Sequence, residues 1–169
     1  MKPIQIYETK KCDTRSLKPG DTLNEEVVKH DTELHIEAVE LCGKFLCEKI
    51  QEQFKQHDHT KLGEHLTQFT EALSNGFKTK NFKSQDWWEI HLTERHHLND
   101  RVPEDVNLID VLEMICDCVS AGMARTGTVY DVTLSNDTLK KAFDNTVKLI
   151  KNNIEVKKDT DNPVLKKLF

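Results

Sequence analysis

VNLIDVLEMICDCVSAGMA, residues 106–124, predicts the helix around which the fold is organised. At about 100° per residue, its apolar side chains cover almost the whole circumference. One side carries Leu108, Leu112, Ile115, Val119 and Met123. A helix that is apolar on nearly every side is normally buried, so we expect this helix to lie at the centre of the molecule.

One strip of this helix is acidic. Asp110, Glu113 and Asp117 are spaced by three and four residues and therefore share a face. Carboxylates on a buried helix repel one another and lose hydration, which is costly unless something compensates their charge. We therefore expect arginine or lysine side chains, or a metal ion, to face this strip. The alternative is that the strip lines a solvent-filled groove and keeps the helix soluble.

Composition places the chain among mildly acidic proteins of one domain. It has 169 residues, of which 31% are charged, and a net charge of -5. This balance argues against non-specific nucleic-acid binding, which needs a basic face. No apolar run approaches the ~20 residues of a membrane span, and the N-terminus MKPIQIYETKK lacks the apolar core of a signal peptide. Five cysteines, an odd number, favour a reducing cytoplasm.

The pattern of apolar residues predicts an all-α fold, a bundle of about five helices with an irregular N-terminal arm. The arm covers residues 1–28, the helical domain residues 29–156, and a charged tail residues 157–169. Within the domain, SQDWWEIHLTERHHL at 84–98 reads as one helix. A weakly alternating segment at 128–134 reads as an edge strand.

Several histidines lie beside acids. On the first helix, which we expect to end near Phe54, His35 continues the buried face, where a lone histidine is usually a core residue. His57 and Asp58 open the second helix and place two ligand types side by side, although this dipeptide is common. These residues are therefore candidate metal ligands only if folding brings their side chains together.

Two further polar groups stand out. His96 and His97 lie beside Glu94 and Arg95, a denser polar group than a surface helix needs, which makes the pair a candidate to reach a ligand or a metal. In the arm, Arg15 either lies on a surface turn or folds back to meet an anionic ligand.

In chain order these residues resemble the HD-domain superfamily of metal-dependent phosphohydrolases. His35, His57, Asp58 and Asp117 follow its H…HD…D order. HDHTK, which ends at Lys61, is similar to an HD-x-x-K form, and CDCVSA around Asp117 is similar to the Ala-Asp-x-x-x-Ala surroundings of the family's last aspartate. The resemblance implies an HD-type helical fold.

A closer resemblance covers most of the chain, from Asp13 to about Val156. DTRS, HDHTK, WW…ERHH and NLIDVLEMICD…AGMARTG together resemble a small family of uncharacterised proteins from phage and bacterial genomes. This family implies no particular activity. It does imply that a phage-encoded member would work in the host cytoplasm.

The superfamily resemblance implies that His35, His57, Asp58 and Asp117 bind a divalent transition metal. Two imidazoles and two carboxylates suit Mn²⁺, Fe²⁺, Co²⁺, Ni²⁺ or Zn²⁺ and leave coordination positions open. Water bound at an open position ionises near neutral pH and can attack phosphorus. The resemblance thus implies one ion with a catalytic role.

Further roles follow from the same resemblance. Lys61 would pair with a phosphate or orient Asp58, and Glu113 would orient a histidine or act as a base. Asp110 would pair with Arg95 or Arg125. The arginines that are candidates for binding phosphate are Arg15, Arg95 and Arg125.

Some HD proteins hold two metals, and His91, His96 and His97 lie in the interval where these proteins add histidines. These three residues are therefore candidates for a second metal or for the substrate. The glycine-rich signature of the paired-histidine phosphodiesterase branch is missing, which puts cyclic-dinucleotide hydrolysis in doubt. Lys61 also departs from the glutamate that some nucleotidases carry, so the proton-transfer residue is open.

The sequence therefore favours a metal-dependent phosphohydrolase that acts on a nucleotide or a similar small phosphate ester. Two alternatives stay open. One is a di-iron oxygenase on an HD-type scaffold, and the other is a non-enzymatic helical binding protein of phage type. A homodimer is compatible with all three functions, and none of them requires a membrane.

Overall fold

The computed structural model describes residues 3–9, 17–20 and 24–158. In this part of the chain the protein is all-α, with five α-helices, two 3-10 turns and one small sheet, which confirms the predicted fold class. The helices are α1 (Glu25–Phe54), α2 (Leu66–Thr79), α3 (Asp86–His91), α4 (Leu108–Thr126) and α5 (Asn136–Asn152). The strands are β1 (Ile4–Tyr7) and β2 (Ile154–Lys157).

The described residues form two compact units. The first contains the residues up to Glu48 and those from Leu149 onward, and the second contains Lys49–Lys148. The three-part division predicted above, with boundaries after residues 28 and 156, does not coincide with these units. No helix in the described residues is both long enough and apolar enough to cross a lipid bilayer.

The first unit contains a two-stranded sheet whose strands are far apart in the sequence. β1 and β2 run parallel, with Ile4 opposite Ile154 and Tyr7 opposite Lys157. The arm was expected to be irregular, so β1 is a correction. An extended Ile-Gln-Ile run has little local signal, and its partner strand lies 150 residues away.

Helix α1 begins inside the predicted arm, where Asn24 accepts a 2.9 Å bond from the Val27 N–H.

The second unit has a small apolar core to which both α4 and α5 contribute. Its core cluster contains Leu98, Val106, Met114 and Ala142. Asn107 begins α4 with a capping box, in which Asp110 provides the reciprocal bond. The Thr146 hydroxyl on α5 accepts a 2.8 Å hydrogen bond from the Leu108 N–H, so the start of α4 is also tied to α5.

Helix α4 is oriented differently from the prediction. Its apolar side is partly exposed, at 44% for Leu112 and 52% for Met123, whereas Asp110 and Glu113 are 0% and 3% exposed. The acidic strip can face inward because other side chains compensate its charge. The expectation that a cation faces this strip is confirmed by Arg95, whose Nε lies 2.6 Å from an Asp110 oxygen.

Two other segments depart from expectation. Helix α3 ends at His91 instead of continuing to Leu98. Residues 128–134 form no strand, because this segment packs its backbone against α4. The contact requires glycine on the helix, since a Cβ added at Gly122 would lie 2.5 Å from the Thr128 carbonyl oxygen.

Candidate metal centre

The His57-Asp58 pair lies in a turn that follows α1. Asp58 has φ 57°, a left-handed conformation that aspartate tolerates better than most residues. The turn is closed by a 3.3 Å bond from the His57 N–H to the Phe54 carbonyl and a 2.8 Å bond from the Lys61 N–H to the Asp58 carbonyl. The expectation that this pair opens a helix is wrong. The turn instead brings both side chains to α4.

Three predicted ligands meet at this point. His57 Nε2 lies 3.5 Å from an Asp58 carboxylate oxygen and 3.5 Å from an Asp117 carboxylate oxygen. The other ring nitrogen, Nδ1, lies 3.0 Å from Glu113 Oε1. Because Glu113 occupies Nδ1, His57 presents Nε2 to the two aspartates. His57, Asp58 and Asp117 therefore come together as the H…HD…D order implies.

His96 is the residue that completes this group. It is 3% exposed, and neither of its ring nitrogens has a hydrogen-bond partner among the described residues. Its Nε2 lies 3.8 Å from Asp58 Oδ1, a second buried atom for which no hydrogen bond is formed. Its Nδ1 lies 3.4 Å from Glu113 Oε1. Buried polar atoms without partners are costly, and a bound cation would satisfy them.

The distances at this group fit a shared ion. Zinc-type ions bind nitrogen and oxygen at about 2.0–2.2 Å, so ligands on one ion lie roughly 3–4 Å apart. Ligand atoms of His57, Asp58 and His96 all lie within 4.8 Å of one another. Small side-chain movements would bring them onto a common ion, and Asp117 is adjacent. Buried histidine and aspartate side chains of this protein could therefore hold a metal.

A second group of ligands adjoins the first. His91, His96 and His97 also offer nitrogens within 4.8 Å of one another. The Nε2 atoms of His91 and His97 are 2.7 Å apart, while His91 Nδ1 is held by the Thr60 hydroxyl at 2.8 Å. His96 belongs to both groups and links them.

The end of α3 explains how these histidines converge. After His91 the chain tightens into turns, beginning with a 3.0 Å bond from the Glu94 N–H to the His91 carbonyl. The buried Glu94 carboxylate accepts a 2.9 Å bond from the Thr60 N–H, which fastens this segment to the turn after Asp58. A continuous helix would have spread the three histidines over different faces.

Aromatic residues wall the histidine group. The Trp87 ring stacks on His91 with centroids 4.5 Å apart and an angle of 19°. Its indole N–H donates a 2.9 Å bond to the Thr60 carbonyl. Trp88 meets His91 and His97 edge-on, each with centroids 5.5 Å apart. Both tryptophans therefore form part of the wall around these histidines.

The charges at the site favour cation binding. Hydrogen bonds with Asp117 and Glu113 raise the pKa of His57 to about 10. Burial raises the pKa of Glu113, but hydrogen bonds with His57 and Gln53 and the nearby ring of His96 outweigh it and lower that pKa to about 2. His57 is therefore protonated when no metal is bound, and an ion would displace its proton.

The pKa values of His91 and His97 are shifted in the opposite direction from that of His57. Burial lowers the pKa of His91 to about 3 and that of His97 to about 4. Both rings are neutral at pH 7, which is the form that can bind a metal.

The remaining predicted residues divide by position. Lys61 lies at the site, with its ammonium 2.6 Å from Asp58 Oδ2. Every nitrogen of the Arg95 guanidinium is engaged, by Asp110 and by Asp105. The predicted pair of Arg95 and Asp110 is thus confirmed, and phosphate binding by Arg95 would have to break these bonds.

Two predicted residues, His35 and Arg125, are not part of the described centre. His35 is exposed on α1 in the first unit, so the expectation that it continues the buried face is wrong. It belongs to neither ligand group. Arg125 is exposed near the end of α4. Arg15 lies outside the described residues.

Sequence reasoning missed the residues that orient the ligands. Gln53 donates hydrogen bonds to Glu113 at 2.6 Å and to Asp110 at 2.7 Å, and so holds both carboxylates from the end of α1. Thr60, which lies within HDHTK, holds the ring of His91 through its hydroxyl. Neither residue carries a sequence signal of its own, because amides and hydroxyls are common on surfaces.

No family model, no curated protein and no solved structure matches this chain.

Proposed function

We propose that this protein is a metal-dependent phosphohydrolase acting on a nucleotide or a similar small phosphate ester. One observation carries the proposal. Asp58 Oδ1 and both nitrogens of His96 are buried beside His57 and Asp117, and they form no hydrogen bond with any residue that the structure describes. A folded protein rarely leaves three such atoms unsatisfied in one place unless another group satisfies them.

The proposed ligands are His57, Asp58, His96 and Asp117. Two imidazoles and two carboxylates suit a borderline ion such as Mn²⁺, Fe²⁺, Co²⁺, Ni²⁺ or Zn²⁺. Such an ion would polarise a phosphoryl oxygen and lower the pKa of a bound water to roughly 7. Compared with the sequence-based ligand set, His96 takes the position assigned to His35.

Glu113 is a positioning residue in this proposal. Its Oε1 lies 3.0 Å from His57 Nδ1 and 3.4 Å from His96 Nδ1, and its other oxygen accepts from Gln53. A histidine whose Nδ1 is held by a carboxylate presents Nε2 to an ion in a fixed tautomer. Because Glu113 is fully engaged with these groups, orientation of the histidines is the role its contacts support, more than that of a general base.

Lys61 is the proposed phosphate contact. Its ammonium pairs with Asp58 at 2.6 Å, and its side chain is 23% exposed. Once Asp58 binds a cation, its negative charge is neutralised and the pair with Lys61 weakens. The ammonium is then available to an anionic phosphoryl oxygen beside the ion, where charge-assisted hydrogen bonds are strongest.

A second ion is part of the proposal. His91 and His97 are neutral at pH 7, buried or half-buried, and adjacent to the shared residue His96. We also propose membership of the HD-domain superfamily, which the convergence of His57, Asp58 and Asp117 supports.

The same group of histidines also supports a second candidate function, that of a di-iron oxygenase. Two adjacent ions with imidazole ligands could be irons that react with oxygen. Loading with Fe²⁺ without air, followed by addition of oxygen, separates the two functions. An oxygen-dependent optical absorption with substrate oxidation favours the oxygenase, whereas release of phosphate without that absorption favours the hydrolase.

The direct test is elemental analysis of the protein purified without chelator, together with phosphate release from a panel of nucleotides and phosphate esters. We expect a stoichiometric divalent metal and hydrolysis of at least one panel member. His57→Ala, Asp58→Ala and His96→Ala should each lose both. The matched control is His65→Ala, because His65 is a histidine of the same unit that lies outside both ligand groups.

Two outcomes would overturn the proposal. One is absence of metal at neutral pH in a folded wild-type protein, which would favour the non-enzymatic binding protein. The other is metal content that none of the three ligand variants changes. A His35→Ala variant that loses the metal would instead restore the ligand set expected from sequence.

A further inference from the structure

Among the residues that the structure describes, the small sheet of the first unit has an open edge on β2. The N–H of Ile4 bonds to the Asn153 carbonyl at 2.7 Å, and the N–H of Glu8 bonds to the Lys157 carbonyl at 2.9 Å. Odd-numbered residues of β2 therefore direct their backbone groups to β1. Alternate residues of a strand bond to opposite sides, so Ile154 and Val156 direct theirs away from β1.

This outer edge is accessible. Val156 is 58% exposed, and within residues 3–9, 17–20 and 24–158 no loop backbone or side chain bonds to the backbone of Ile154 or Val156. A two-stranded sheet is marginal by itself, and an unpaired edge is a template for another strand. The edge thus offers hydrogen-bonding groups without using them.

The sequence of β2 is complementary to itself. In an antiparallel pair of two β2 strands centred on Val156, the two Val156 residues face each other and exchange both backbone hydrogen bonds. Glu155 then lies directly opposite Lys157 of the second copy, and Lys157 lies opposite Glu155 of the second copy. Opposite charges at such positions attract, with Cβ atoms about 4.5–5.5 Å apart.

Neighbouring registers are worse. A pair centred on Glu155 sets two glutamates against each other, and a pair centred on Lys157 sets two lysines against each other. Like charges directly opposite are destabilising. The outward direction of the Ile154 and Val156 backbone groups permits this register, and the order of the charges favours it over its two neighbours.

We propose that the β2 edge pairs with the β2 edge of a second copy of this chain, in antiparallel orientation about Val156. The strand is short, so the contact forms a reversible dimer whose population depends on protein concentration. This inference is independent of the metal centre, whose residues belong to the other unit.

The test measures the dissociation constant of the full chain by analytical ultracentrifugation, from micromolar to millimolar concentration. We expect a reversible dimer. Glu155→Lys and Lys157→Glu each replace two attractive pairs by two repulsive ones, and each should weaken the dimer by about tenfold or more. The double variant Glu155→Lys/Lys157→Glu should restore it, because the pairs are re-formed with reversed sign.

Two further variants complete the design. Val156→Pro removes an N–H that points away from β1, so it should abolish the dimer while circular dichroism stays unchanged. Lys151→Glu is the matched control, since it makes the same charge change at an exposed position on α5.

A monomer at all concentrations would overturn the proposal. So would a dimer that both single charge reversals leave unchanged, because another surface would then hold it. Equal weakening by the singles and the double would also overturn it, since no pairing between Glu155 and Lys157 would then be involved.

Discussion

His57 Nδ1 lies 3.0 Å from Glu113 Oε1, and this contact decides how His57 faces the rest of the centre. With Nδ1 engaged, Nε2 lies between Asp58 and Asp117, 3.5 Å from an oxygen of each. A residue of α4 thus orients a histidine of the turn after α1 toward its proposed partners.

Glu113→Gln tests this relationship. The amide keeps the size of the side chain but removes the charge that holds His57 and His96, so we expect metal affinity to fall about 10–100-fold. Isothermal titration of the metal-free protein with Zn²⁺ or Mn²⁺ measures it. Glu64→Gln, at a site 89% exposed, is the control. An unchanged affinity in Glu113→Gln would show that the contact does not position the ligands.

The pair of Arg95 and Asp110 should dominate the stability of the second unit. Asp110 is 0% exposed, and both its oxygens accept from Arg95, at 2.6 and 2.8 Å. Arg95→Met leaves a buried carboxylate without its main cation, so we expect a loss of about 3–5 kcal/mol in the free energy of unfolding.

Urea denaturation measures this loss, and the exposed Arg101→Met is the control. A change in Arg95→Met no larger than in the control would mean that Gln53 and the helix cap suffice for Asp110.

Stability of the metal-free protein should fall on the alkaline side. The pKa of His57 is raised from 6.5 to about 10, so its charged form stabilises the fold fully below pH 6.5. That contribution is lost as pH rises from 6.5 to about 10, because the unfolded state releases the proton first. His91 and His97 do not interfere, since both are neutral in this range.

The measurement is a series of urea midpoints between those two pH values in the presence of chelator. His57→Gln should flatten the profile. If the stability of the wild type changed with pH in the same way as that of His57→Gln, the raised pKa of His57 would be contradicted.

Two glycines on helices should respond in opposite ways to alanine. At Gly122 a Cβ would meet the Thr128 carbonyl at 2.5 Å and the Tyr130 N at 2.6 Å, so backbone must move and we expect a loss of about 1–3 kcal/mol. At Gly43 a Cβ meets nothing within 4 Å, so alanine should stabilise α1 by up to about 1 kcal/mol.

Thermal melts measure both effects as the change in melting temperature of Gly122→Ala and of Gly43→Ala relative to wild type. Equal effects of the same sign would contradict the packing of residues 128–130 on α4.

Local pattern was sufficient for some features. Apolar residues at helical spacing predicted α4 because neighbours on a helix face share an environment. The acidic strip predicted a facing cation because buried like charges require one, and Arg95 meets Asp110. The H…HD…D order implied a meeting of His57, Asp58 and Asp117, which the turn at Asp58 brings about, but it also included His35, which is exposed on α1.

Other features needed the folded chain. Helical spacing assigned the apolar side of α4 to the core, yet Asp110 and Glu113 are buried while Leu112 and Met123 are partly exposed. The periodicity of a helix shows which residues share a face. It does not show that Arg95 and Gln53 will bond to the buried carboxylates of Asp110 and Glu113. The early stop of α3 at His91 was likewise invisible, because it depends on the bond between Glu94 and Thr60.

The sequence alone determined an all-α chain and the residue types of a candidate metal centre, because helical periodicity and charge compensation act over a few neighbouring residues. Tertiary structure alone decided that His96 joins His57 and Asp58, that β1 pairs with β2, and that the acids of α4 face inward. Each of these depends on groups far apart in the chain, and the energy of a buried charge or an open strand edge is set by the partner that folding brings to it.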